Sequence, residues 1–81
     1  MNAGVGATPV FILGGTVRAA QDFARRRGIE QAVVVTTIDQ MDGFRGHRLI
    51  VLPGYIAAPR HAELLVAARR HGLEVWWESV G

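Results

Sequence analysis

Apolar residues in this chain fall into short unbroken runs, and the runs alternate with segments of helical periodicity. Val10 to Leu13 is wholly apolar and stops at Gly14–Gly15, which predicts a buried strand ending in a tight turn. Thr16 suits the cap of a following helix, because its hydroxyl accepts an orphan N–H of the first turn. Val17, Ala20 and Ala24, with Phe23 beside them, set that helix's apolar face. Arg25, Arg26 and Arg27 meet the negative end of its dipole, and Gly28 supplies the left-handed residue that stops it.

Ala32 to Thr36 predicts the second strand, and Leu49 to Leu52, closed by Pro53–Gly54, the third. Neither alternates with polar residues, so both read as strands buried on two faces, as in a parallel sheet. Pro59 suits the first turn of a second helix, whose apolar face is Ala62, Leu65 and Val66, widened by Leu64 and Ala68. Arg69, Arg70 and His71 repeat the basic last turn, Gly72 ends it, and Leu73 to Trp77 makes a fourth strand.

The segments Ala24 to Glu30 and Ala68 to Glu74 share one pattern: Ala, three basic residues, Gly, an aliphatic residue, Glu. Gene duplication and shared helix-ending rules both account for it. Either way the order is β-α-β, then β-α-β. The link from Thr37 to Arg48 is just long enough for a parallel crossover. Ile38, Met41 and Phe44 recur every third residue, so a short helix or 3₁₀ turn seats them on the sheet. Right-handed crossovers then give a small two- or three-layer α/β fold with a four-stranded, mostly parallel sheet in the order 2-1-3-4. A hairpin between strands 2 and 3 is the alternative. Residues 1–8 read as a flexible N-terminal arm and residues 9–78 as one α/β domain.

Composition narrows the function classes. Eighty-one residues make one domain with a thin core. There is no cysteine, so neither disulfides nor a thiolate metal site is available; a reducing, cytoplasmic setting is expected. No apolar run is long enough to span a bilayer, so no membrane is expected. The net charge of +2 is too modest to point to nucleic acid. Every basic side chain is arginine. Spread along the whole chain with abundant Ala, Gly and Val, this reads first as a GC-rich coding bias and second as phosphate or carboxylate recognition.

In the order 2-1-3-4, the turns Gly14-Gly15-Thr16 and Pro53-Gly54-Tyr55 lie at the carboxyl ends of adjacent strands, where the winding direction reverses. Open α/β sheets bind ligands at such switch points, and a helix N-terminus there favours an anion. Arg18 and Arg60 stand beside the two turns, and Tyr55 can stack on a base or sugar. The candidate ligand site is therefore Gly14, Gly15, Thr16, Arg18, Gly54, Tyr55 and Arg60, for a nucleotide-like or other anionic small molecule. The glycines also make sense as chain-turning residues alone.

A catalytic set is not evident. Asp39 and Asp42 read as solvated loop carboxylates; His47, His61 and His71 lack metal-ligand spacing; Ser79 is the only serine. No nucleophile, base and orienting group recur together, so no enzyme, metal or cofactor is expected. Trp76 and Trp77 are strand neighbours and must face opposite sides of the sheet. One can pack under the second helix. Strand 4 is an edge, so the other is either covered within the chain or is a contact surface. A homodimer through Trp76 or Trp77, or docking on a host protein, is the alternative function.

The layout from Val10 to about Trp76 (ValPheIleLeuGlyGly, ArgArgArgGly, GlyPheArgGly, then ArgLeuIleValLeuProGly) resembles small uncharacterised proteins of actinobacteriophages. It also looks like a stripped P-loop or Rossmann core, and Phe44 to Gly46 is similar to the segment before Walker B in some helicase and terminase ATPases. The resemblance implies a Rossmann-like accessory protein of a phage, working in the host cytoplasm. The chain departs from the ATPases in having no phosphate-binding lysine and in having Pro53–Gly54 where an acidic pair would stand. Hydrolysis of nucleoside triphosphates is therefore not expected.

Overall fold

The structure, a computed structural model, describes residues 8–79. Of the expected N-terminal arm, residues 1–7 lie outside the described residues. Four strands, β1 (Val10–Leu13), β2 (Ala32–Val34), β3 (Arg48–Val51) and β4 (Glu74–Trp77), form one sheet. All pairings are parallel and the order is β2-β1-β3-β4, as the apolar runs predict; the hairpin alternative is excluded. Helix α1 (Val17–Arg27) links β1 to β2, and α2 (His61–Arg70) links β3 to β4. A 3₁₀ turn over Ile38–Met41 carries the chain from β2 to β3, and a second, Tyr55–Ala57, follows β3.

The two helices cover opposite faces. Ile12 of β1 packs with Ala20, Phe23 and Ala24 of α1. Its neighbours Phe11 and Leu13 point the other way, into Leu64, Ala67 and Ala68 of α2. One strand thus feeds both cores, which is why its sequence shows no alternation. Met41, fully buried, closes the α2-side core from the crossover, and Phe44 packs edge-on against Phe11 at 5.2 Å.

Both helices end as their sequences predict. Gly28 and Gly72 are left-handed (φ 66° and 80°). Ile29 N–H donates to Ala24 and Leu73 N–H to Ala68, the same backward bond in each half. The apolar faces differ from expectation by part of a turn. Val17, Ala62 and Val66 are exposed, and Leu64, Ala67 and Ala68 carry the burial of α2. Helix α2 is apolar around most of its circumference, so its face is chosen by where it crosses the sheet. Ile38 likewise stays largely exposed while Met41 goes in. Helix α2 begins at His61, later than Pro59 suggests. Ala58, restricted by the following proline, is extended, and Pro59–Arg60 form a turn before the helix starts.

Candidate functional site

The loops after β1 and β3 meet. Gly15 lies so close to Gly54 that a Cβ on it would overlap the Gly54 carbonyl oxygen. This contact closes the space directly between the ends of β1 and β3 and leaves openings on both sides of it. One, on the α1 side, is lined by Ala19, Asp22, Leu52, Pro53 and Gly54. The other is on the β2 side. There a cleft of about 240 Å³ is lined by Gly14, Gly15 and Thr16, by Val34 to Thr36 at the exit of β2, and by Pro59 and Arg60 ahead of α2.

Of the seven candidate ligand residues, Gly14, Gly15, Thr16 and Arg60 line this cleft; Arg18, Gly54 and Tyr55 do not. Thr16 is the cap of α1: its hydroxyl accepts from Ala19 N–H at 3.0 Å. The N–H groups of Val17 and Arg18, at the helix start, have no acceptor among the described residues. Arg60 holds a left-handed backbone, φ 61°, the only non-glycine among the described residues to do so. Its guanidinium pairs with Glu63 at 3.0 Å on the surface. Arg18 makes no ion pair among the described residues.

Tyr55 belongs to a different surface. Its ring stands edge-on to His61 and to Trp77, both at 5.5 Å between centroids. Trp77 therefore leans on Tyr55 rather than lying under α2, and stays 55% exposed. Trp76, on the other face, is 48% exposed. Its indole N–H donates to Glu74 at 2.7 Å, and the Arg48 guanidinium lies 4.7 Å over its ring. On this face α1 lies mainly against β1 and β2 and reaches β3 at Ile50, which packs with Phe23, while Trp76 of β4 stays half exposed. A groove of about 370 Å³ runs there between α1 and the strands, lined by Phe23, Arg27, Ile29, Arg48, Ile50 and Trp76. Arg27 crosses its end, with its guanidinium over Phe23 at 4.8 Å and in contact with Glu78.

No described strand pairs with the outer edge of β4. Glu74 N–H donates inward to His47 and Glu78 N–H to Val51. Peptide groups alternate along a strand, so Val75 and Trp77 turn theirs outward. The expectation that one tryptophan is covered within the chain is thus corrected: both are half open, on opposite sides of one open edge.

One residue of the cleft's surroundings carries a role that the sequence reading missed. Gln40 accepts from Thr36 N–H (2.6 Å) and Thr37 N–H (2.9 Å) and donates to Val34 C=O (3.0 Å). Its amide takes over peptide bonding where β2 stops, which ends the strand at Val34 rather than Thr36. The signal was present: Thr37 followed three residues later by Gln40 is the spacing of a capping box.

The histidines are dispersed. His47 stacks edge-on with Phe44, His61 contacts the Ala58 carbonyl, and His71 faces Asp42 at 3.8 Å. Among the described residues no group of His, Asp and Glu is placed to hold a metal ion, and no helix is long and apolar enough to cross a membrane. No family model, curated protein or solved structure matches this chain.

Proposed function

We propose that this chain is a non-catalytic protein-interaction module that docks a partner through the open edge of β4. One observation carries the reading: Trp76 and Trp77 are both about half exposed on a strand whose outer peptide groups have no described partner. Main-chain bonds from such an edge supply affinity, and side chains on the two faces supply specificity. Tryptophan concentrates binding energy, and a single buried one contributes on the order of 2 kcal/mol or more. A resemblance in layout to small actinobacteriophage proteins would fit an accessory protein of this kind.

The test is selection of extended peptides from a random library on the immobilised protein. The selected peptides are expected to shift tryptophan emission to the blue and to lose binding on Trp76→Lys or Trp77→Lys. Peptides that bind both variants as well as the parent overturn the reading.

A second reading, an anionic or nucleotide-like small molecule in the cleft beside α1, rests on Arg60. That residue lines the cleft next to the start of a helix whose first N–H groups are free of described acceptors. Titration with inorganic phosphate and with a nucleoside monophosphate, followed by amide shifts of Gly15 to Arg18, tests it. Absence of shifts up to about 10 mM, an affinity worth under about 3 kcal/mol, removes it.

A further inference from the structure

We infer that the occupant of the β4 edge is β4 of a second copy, paired antiparallel about a twofold axis through the Val75–Val75 pair, so that two four-stranded sheets join into eight. The inference rests on the edge-docking reading above and names its partner.

Three observations lead there. The first is the direction of the backbone. Val75 and Trp77 present their peptide groups outward, as the inward bonds of Glu74 and Glu78 require. An antiparallel copy offers the same groups in return, and twofold pairing satisfies both edges at once. A twofold axis perpendicular to the sheet also keeps each side chain on its own face, so the exposed Trp76 sides of two β4 strands become one surface.

The second is charge. The chain as a whole carries +2, yet the groove beside this edge holds Arg27, paired with Glu78, and Arg48, whose register neighbour on β4 is Glu74. That surface is balanced and meets its own copy without net repulsion.

The third fixes the register. Side-chain parity allows pairings centred on Glu74, Val75, Trp76 or Trp77. Centring on Glu74 opposes two Glu74 carboxylates, and centring on Trp76 opposes Glu74 to the other copy's Glu78; like charges directly opposite are unfavourable. Centring on Trp77 carries the pairing past the end of β4, into Glu78 and Ser79. Centring on Val75 leaves the pairing within Leu73 to Trp77 and sets each Glu74 opposite the other copy's Trp76. Arg48 is Glu74's neighbour on β3 and Ile50 is Trp76's. The shared face then reads Arg48, Glu74, Trp76, Ile50 across the junction, and the reverse in the next row.

The chain has no cysteine of its own, so introduced thiols report the geometry directly. Residues directly opposite in an antiparallel pair have Cα atoms about 4.5–5.5 Å apart, within disulfide range. Glu74→Cys and Trp76→Cys variants, mixed and oxidised, are expected to form the mixed disulfide dimer well above either variant alone. The unmodified chain is expected to pass from monomer to dimer in sedimentation between about 1 µM and 1 mM, and Trp77→Lys to weaken that about tenfold or more. A dimer in which Trp76→Cys alone cross-links best overturns the Val75 register. A chain monomeric throughout overturns self-pairing; if selected peptides still bind in a tryptophan-dependent way, the edge-docking reading stands without it, and if they do not, both fall.

Discussion

Gly15 and Gly54 press together at the carboxyl ends of β1 and β3, closer than any side chain on Gly15 would allow. The obstruction is one-sided: a Cβ on Gly54 meets nothing within 4 Å, and its φ of −88° suits any residue. Gly15→Ala is therefore expected to destabilise the fold by about 1–3 kcal/mol, because backbone must move to admit the methyl group. Gly54→Ala is expected to fall within about 0.5 kcal/mol of the parent. Urea unfolding of the two variants side by side makes the comparison. Equal losses would show that the two loops are not in contact.

The two helix-ending glycines separate conformation from crowding. Gly28 has open space around it, so Gly28→Ala loses only what the left-handed backbone costs, about 1 kcal/mol. At Gly72 an added Cβ would also stand 3.0 Å from Cγ of Arg45. Gly72→Ala is expected to cost more than Gly28→Ala, and Arg45→Ala to recover the excess. A double-mutant cycle by thermal unfolding measures that recovery.

Arg60 is held where glycine is at ease. Replacing it with glycine gives up one exposed ion pair with Glu63 and relieves a left-handed non-glycine backbone. Arg60→Gly is expected to raise stability by up to about 1 kcal/mol. A loss of stability instead would mean that the guanidinium contributes more than its surface pair indicates.

The crossover between the halves is anchored by Met41 and not by Ile38. Met41→Ala is expected to cost about 2–4 kcal/mol, since the side chain is wholly buried. Ile38→Ala, at an exposed position, is expected to cost less than about 1 kcal/mol. Comparable losses at the two sites would place the 3₁₀ turn with a different face on the sheet.

Strand order and helix ends were legible for a shared reason: each rests on a local rule that few arrangements satisfy. A short apolar run such as Val10 to Leu13, closed by Gly14–Gly15, fits a strand covered on both faces, and Arg25 to Gly28 has the composition of a helix terminus. The facing of α2 was not legible, because Ala62, Leu64, Leu65, Val66, Ala67 and Ala68 leave no single apolar stripe to follow. The candidate cleft was legible in part. Sequence order placed the two glycine turns side by side, but their contact, which closes the space between them, depends on backbone separation. The extended Ala58 and left-handed Arg60 that carry α2 away from Gly54 depend on the turn at Pro59.

The parallel pairing of β1 with β3 has a consequence for how the chain reaches this state. The repeated pattern invites a picture of two modules that form separately and then join. The centre of the sheet contradicts it: Val10 to Leu13, from the first half, lies directly against Arg48 to Val51, from the second. Neither half holds a finished core, and the innermost strand pair closes only after the whole intervening segment has been drawn in. Loop closure of that span precedes the contacts that reward it, so folding is governed by non-local encounter and is cooperative. Cutting the chain between its two echoes should yield two unfolded fragments that regain structure only when mixed.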